Sequence, residues 1–163
     1  MEWAKVAKGA LTVSSLPSGQ LLEITKASVS GPLHVINLSD RIVDTEESIC
    51  NELGIPYYWF PIRNGKPPNF IPDLTNQNTV YSIGAASEKI QEILSHEGGF
   101  VFLHCLAGRH RSMLVAYCTM LRCGLSSKVA LYRLQRLNPE AFPMDPSMTE
   151  FAERNFGWKF FSC

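Results

Sequence analysis

Aspartate is scarce in this sequence, and several other features are missing. Fifteen acidic and fifteen basic residues give a net charge of zero, which excludes the strong overall field that draws proteins to nucleic acids or anionic membranes. No run approaches the roughly 18 apolar residues that a membrane-spanning helix needs. Only four of the acidic residues are aspartates: Asp40, Asp44, Asp73 and Asp145.

The cysteines also exclude some classes of protein. Five is an odd number, and no two of them form a C-x-x-C pair, which speaks against a zinc site. The first five residues lack the charged start and apolar run of a secretory signal. We therefore expect reduced thiols, a cytoplasmic or nuclear location, and no metal or organic cofactor.

Short apolar runs alternate with helical patterns along residues 1–163, which we interpret as a single domain. Such short runs, ending near turn residues, suit buried strands of a parallel sheet. The predicted fold is therefore α/β, with a single central, mainly parallel sheet flanked by helices. The four runs are Leu11–Val13, His34–Leu38, Tyr57–Phe60 and Phe100–Leu103.

Helical spacing is clearest in the second half of the chain. Apolar residues recur at this spacing before Gly98 and Gly99, namely Ile83, Ala86, Ile90, Ile93 and Leu94. The run Met113–Cys118 is apolar on nearly every side, which predicts a central buried helix.

Two more helices are predicted near the C-terminal end of the sequence. Ser126 caps a helix that ends at Asn138-Pro139, and Met144–Ser147 opens the last helix. The predicted inward residues of the first of these helices are Ala130, Leu134 and Leu137.

The segment Phe100–Ser112 carries the clearest chemical signal. A buried strand leads into Cys105, then into a loop with Gly108, and then into Arg111 and Ser112 at the start of a helix. The five residues between Cys105 and Arg111 can wrap so that their backbone N–H groups face one anion, which favours the thiolate of Cys105. A guanidinium binds two phosphoryl oxygens with its planar fork.

These residues resemble the signature His-Cys-x5-Arg-Ser/Thr of the cysteine-based protein tyrosine and dual-specificity phosphatases. The sequence is most similar to the small, atypical dual-specificity branch. His34–Ser39 is similar to the V-I-N-L-S strand of that branch, and Tyr57–Pro68 resembles the segment that carries its acid loop. The resemblance covers roughly residues 10–155, and it implies a single phosphatase catalytic domain.

The resemblance also implies roles for individual residues. Cys105 attacks phosphorus and forms a phosphocysteine, and Arg111 stabilises the transition state. Ser112 donates to the sulfur in the second step, and His104 supports the loop by orienting the backbone of Cys105. The implied phosphate-binding residues are Leu106, Ala107, Gly108, Arg109, His110 and Arg111.

The sequence departs from the family at the general acid. Relatives with a P-x-x-D-G-x-P-P loop protonate the leaving group with the Asp before the Gly, and Asn64 stands at that position here. An amide delivers no proton at neutral pH. We rank Asp73, in the same loop, first as a replacement, although a turn or helix-start residue after Pro72 is the simpler interpretation of this position. Asp40 and Asp145 are the alternatives.

The charge around the signature bears on the substrate. Between Phe100 and Pro139 no residue is acidic and six are basic, which favours a substrate with several phosphates or with acidic neighbours. The primary expectation is a phosphatase for phosphotyrosine, phosphoserine and phosphothreonine in proteins. Alternatives are a phosphatase for phosphoinositides, other phospholipids or RNA 5′-phosphate ends, and a phospho-binding protein with little turnover.

Overall fold

A parallel sheet forms the centre of the protein. The computed structural model describes residues 11–14, 16–41, 44–67, 71–97, 99–106 and 110–157. In these ranges all strand pairs are parallel, in the order β1-β4-β2-β3, which confirms the predicted fold class. The strands are β1 (Leu11–Ser14), β2 (Leu33–Asn37), β3 (Tyr57–Trp59) and β4 (Phe100–His104).

Helices connect and cover these strands. In the described ranges they are α1 (Gly19–Ser28), α2 (Asp44–Leu53), α3 (Gln77–Glu92), α4 (Arg111–Arg122), α5 (Ser127–Leu137) and α6 (Pro146–Phe156). A π-helical segment, Ile93–Glu97, extends α3. The sequence patterns predicted α3 to α6 and missed α1 and α2. None of these helices, within the part of the chain that is described, is long and apolar enough to cross a membrane.

The helix ends follow the predicted capping chemistry. Ser126 accepts a hydrogen bond from the backbone N–H of Val129 and so starts α5, and Asp145 does the same for Ser147 at the start of α6.

The prediction that Leu137 faces inward was wrong, because the residue is 39% exposed. The buried side chains of α5 stop at Leu134, one turn before the helix ends.

Successive side chains of the central strands point to opposite faces of the sheet. Val35 and Phe102 pack with residues of α1 and α2, whereas Ile36 and Leu103 pack with residues of α3, α4 and α6. On that second side α4 is buried from Arg111 to Leu121. The core therefore fixes both the end of β4 and the start of α4, where the signature residues lie.

Candidate active site

The carboxyl ends of three strands meet at one edge of the sheet. The pairing continues beyond the strands, since the N–H of Leu38 donates to the carbonyl of His104 at 2.8 Å and that of Ile62 donates to the carbonyl of Leu38 at 3.0 Å. Cys105 follows β4, and Asp40 follows β2. Ligand sites of open α/β sheets form at such an edge.

Arg111, the first residue of α4, is almost fully buried at this edge. Its Nη1 donates to Oδ1 of Asp40 and to the carbonyl of Ile62, both at 3.2 Å. No described residue accepts from Nε or Nη2. One nitrogen therefore anchors the guanidinium to the protein, and the other edge retains the two parallel donors that bind phosphoryl oxygens.

Cys105 and Ser112 flank the loop between β4 and α4. Cys105 is buried, and so is Ser112, whose hydroxyl has no hydrogen-bond partner in the described ranges. A buried hydroxyl without a partner is unfavourable, and it retains its capacity to donate. The donation from Ser112 to the sulfur is not formed in this structure and stays a prediction for the reaction.

The loop itself is described only at its two ends. Leu106 is 48% exposed, and His110 precedes α4. The predicted phosphate-binding residues Ala107, Gly108 and Arg109 lie outside the described residues. Within the ranges that are described, no group of three or more His, Cys, Asp or Glu side chains could hold a metal ion.

Asn64 lies in the connection between β3 and α3, which doubles back on itself. Asn64 pairs with Pro72 in an antiparallel bridge, and the N–H of Asp73 donates to the carbonyl of Arg63 at 2.8 Å. The side-chain oxygen of Asn64 is buried and has no hydrogen-bond partner among the residues described. The position of the expected acid is thus occupied by an amide whose oxygen is unsatisfied.

Asp73 occupies a turn at the end of this connection. Its Oδ1 accepts from the hydroxyl of Thr75 at 2.6 Å and from the N–H of Thr75 at 3.2 Å. The hydroxyl bond is the largest cause that lowers the pKa of Asp73 below its ordinary value. Asp73 forms no ion pair with Arg111, whereas Asp40 does.

Asp145, the third aspartate of interest, caps α6. Its carboxylate accepts from the hydroxyl and the N–H of Ser147, and these bonds lower its pKa. The charge of His110, which precedes α4, contributes to the same lowering of the pKa. Of the three aspartates, Asp40 pairs directly with Arg111, whereas Asp73 is bonded to Thr75 and Asp145 to Ser147.

A buried acid–imidazole pair lies below Cys105, and sequence reasoning missed its acidic member. Nε2 of His104 is 2.8 Å from Oε1 of Glu46, and Nδ1 of His104 is 3.2 Å from the carbonyl oxygen of Cys105. Glu46 belongs to α2, where it shares a buried stripe with Cys50. That i, i+4 spacing was the available signal for a buried glutamate.

Basic side chains lie on the loops around this edge. Arg41 follows β2, and Arg63 and Lys66 follow β3; all three are exposed. Arg122 lies at the opposite end of α4, where it donates to Gln91 at 2.8 Å. The positive charge near the site therefore comes from loops after β2 and β3 as well as from the signature.

Comparison with known proteins identifies the fold. No protein-family model and no curated protein matches the sequence. Among solved structures, Tk-PTP in its active form matches with a TM-score of 0.67 and 20% identity, covering 93% of this chain and 94% of Tk-PTP. The fold is that of the cysteine-based protein tyrosine phosphatases.

Two further matches agree with this cysteine phosphatase fold. The core catalytic domain of the PP-IP phosphatase SIW14 from S. cerevisiae has a TM-score of 0.62 and 15% identity, over 89% of this chain and 80% of that domain. A putative phosphatase from Shewanella putrefaciens has a TM-score of 0.59 and 20% identity, over 91% of this chain and 87% of its own length.

Proposed function

We propose that this protein is a cysteine-dependent phosphatase that hydrolyses phosphomonoesters of proteins, phosphotyrosine above phosphoserine and phosphothreonine. The observation that carries the proposal is the anchored guanidinium of Arg111. Asp40 and the carbonyl of Ile62 occupy Nη1, and the opposite edge has no partner in the described ranges. Such an edge, on the first residue of the helix that follows the loop after Cys105, is suited to a phosphoryl group.

The proposed reaction has two steps. In the first, the thiolate of Cys105 attacks phosphorus, the bond from phosphorus to the leaving oxygen breaks, and Arg111 binds two of the remaining oxygens. In the second, water attacks the phosphocysteine, the sulfur–phosphorus bond breaks, and inorganic phosphate leaves. Ser112 donates a hydrogen bond to the departing sulfur.

The preference for phosphotyrosine rests on Asn64. An aryl oxygen leaves with little help from an acid, whereas the alkyl oxygen of serine or threonine needs a proton. Asp73 as the general acid stays a prediction. Because Oδ1 of Asp73 accepts two hydrogen bonds from Thr75, a transferable proton would have to lie on Oδ2.

A second candidate substrate class is a compound with several phosphates. Arg41, Arg63 and Lys66 support it, since their exposed charges would meet additional phosphates around the one bound by Arg111. When a phosphoanhydride is cleaved, the leaving group is a phosphate anion, which departs without protonation by an acid. The yeast SIW14 domain, described as a PP-IP phosphatase, has this fold.

The remaining alternatives would use the same site. Phospholipids and RNA 5′-phosphate ends would present their phosphates to it, and a phospho-binding protein would bind phosphate there without turnover.

Substrate panels with a matched pair of cysteine variants test the proposal. Cys105→Ser should abolish hydrolysis of an aryl phosphate and still bind vanadate, because Arg111 is intact. Cys123→Ser, at a partly buried cysteine whose pKa is raised to about 11 by burial, should retain activity. Turnover in Cys105→Ser would disprove the mechanism.

The same panel separates the substrate classes. We expect phosphotyrosine peptides to react faster than phosphoserine peptides, inositol phosphates, phosphoinositide vesicles and 5′-phosphorylated RNA. A much faster reaction with one of the last three would replace the protein substrate by that class. Binding of any of them without hydrolysis would support a phospho-binding role.

We also propose a cytoplasmic or nuclear location, where the nucleophilic thiol stays reduced.

A further inference from the structure

A contact of 2.8 Å joins His104 to Glu46 in the interior, and a longer contact of 3.2 Å joins His104 to the carbonyl of Cys105. Both side chains are nearly inaccessible, at 1% and 2% exposure. One ring nitrogen of His104 faces a carboxylate oxygen of Glu46, and the other faces the backbone carbonyl of Cys105. The pair therefore connects α2 directly to the first peptide of the loop that carries the nucleophile.

A count of donors shows that this arrangement contains an additional proton. A carbonyl oxygen only accepts, so Nδ1 of His104 must carry a hydrogen to bond to Cys105. A neutral imidazole then has no hydrogen left on Nε2, and an ionised carboxylate has none either. The contact of 2.8 Å between Nε2 and Glu46 therefore needs one more proton, whether it lies on the nitrogen or on the oxygen.

The titratable side chains that surround Glu46, those of Tyr57 and Cys50, stay protonated at neutral pH. Tyr57 on β3 and Cys50 on α2 face the carboxylate, and burial followed by the charge of Glu46 raises the pKa of both, that of Cys50 to about 12. The amide of Asn37 donates to the hydroxyl of Tyr57 at 2.9 Å. The hydroxyl of Tyr57 also interacts with Glu46, whose second oxygen is buried and accepts no hydrogen bond of regular geometry in the part of the structure that is described.

We propose that Glu46 is a positioning residue of the phosphate-binding loop, and that the proton it shares with His104 fixes the carbonyl of Cys105. This inference rests on the proposed phosphatase function and deepens it. When the proton is lost at alkaline pH, a neutral imidazole can bond either to Cys105 or to Glu46, and two lone pairs oppose each other at the remaining contact. The start of the loop is then released, and kcat falls.

Three variants test the shared proton. In Glu46→Gln the amide N–H donates to Nε2, so a neutral His104 satisfies both contacts without the additional proton. We expect this variant to keep kcat near neutral pH and to lose the alkaline fall of the wild type. Glu46→Ala removes the contact, and kcat should fall about 10–100-fold at every pH. Glu47→Gln, exposed on the same helix, is the matched control.

The kinetic outcomes are decisive in either direction. An alkaline fall of kcat at the same pH in Glu46→Gln, Glu47→Gln and the wild type would overturn the proposal. Retention of wild-type kcat by a folded Glu46→Ala protein would overturn it as well. A shift of the alkaline fall in Glu46→Gln alone supports it, because a purely structural substitution would change the amplitude and leave the pH dependence in place.

Nitrogen-15 NMR of the His104 ring separates this inference from the proposed function. The ring nitrogens of the wild type should shift in one step as the shared proton leaves, and Glu46→Gln should show a hydrogen on Nδ1 and no such step. Identical titrations would overturn the proposal even in an active enzyme. If the wild type shows this NMR step but hydrolyses no phosphate ester, the shared proton is supported and the phosphatase function is rejected.

Discussion

Arg111 and Asp40 form an ion pair across the carboxyl edge of the sheet, with 3.2 Å between Nη1 and Oδ1. The arginine is buried, whereas the aspartate is 44% exposed on its side chain. Asp40 therefore has two effects on a bound phosphate. It orients the guanidinium, and its negative charge repels the anion.

Replacing Asp40 by asparagine separates these effects. The amide oxygen of Asp40→Asn can still accept from Nη1, but the repulsion disappears, so vanadate and inorganic phosphate should inhibit about two- to fivefold more strongly. Inhibition constants at low and high salt measure this, and salt should shrink the difference. Asp44→Asn, on the neighbouring helix, is the control. Weaker inhibition of Asp40→Asn would show that orientation outweighs repulsion.

Asn64→Asp places a carboxyl group at the position that carries the acid in the P-x-x-D-G-x-P-P pattern, which this loop resembles. We expect it to raise the rate with an alkyl phosphate by about tenfold or more and to change the rate with an aryl phosphate little, because only the alkyl oxygen needs a proton. The ratio of the two rates is the measurement. An unchanged ratio would mean that residue 64 does not reach the leaving group.

Ser112→Ala tests the second step. Loss of the hydroxyl should slow hydrolysis of the phosphocysteine, so an aryl phosphate should release a rapid burst of phenol before a slower steady state. The stability of the variant should stay within about 1 kcal/mol of the wild type, since the hydroxyl has no described partner. A slow first step without a burst would contradict this role.

Asp73→Asn distinguishes a turn residue from a general acid. The bonds from Thr75 hold the pKa of the folded protein below the ordinary value of 3.8. A lowered pKa stabilises the folded state above that value, and the effect disappears as the pH falls through the folded-state pKa. Urea unfolding should therefore show a less stable variant at neutral pH and a smaller difference in acid.

The activity of Asp73→Asn completes this comparison. A general acid would lower the rate with alkyl phosphates more than that with aryl phosphates, whereas a turn residue would leave their ratio unchanged. Thr75→Val is the matched variant, because it removes the hydroxyl bond and keeps the carboxyl group. A changed ratio in Asp73→Asn together with a normal ratio in Thr75→Val would establish Asp73 as the acid.

The sequence predicted the elements whose signals are local. The apolar runs indicated all four strands, because buried strands of a parallel sheet are nearly continuous in hydrophobicity. Ser126 and Asp145 marked helix starts through their side-chain caps. Helices α1 and α2 were missed because they bury few residues each, only Leu22 in the first and Glu46 and Cys50 in the second.

The candidate site was predictable where its residues are consecutive and unpredictable where it depends on tertiary contacts. Cys105, Arg111 and Ser112 lie within one loop and the start of its helix. Asp40 was one of three candidates, and only the folded chain brings it to Arg111. Glu46 is 58 residues from His104 in the sequence, so its spacing from Cys50 could indicate burial but could not identify His104 as its partner.

The burial of α4 has a consequence for how this protein tolerates mutation. The helix that begins with Arg111 and Ser112 also contributes Met113 to Leu121 to the interior. A substitution at most of its positions therefore changes the folding equilibrium and the shape of the phosphate site together. Random mutagenesis should find few variants with altered specificity on this helix, and viable changes of substrate should accumulate on the exposed loops after β2 and β3.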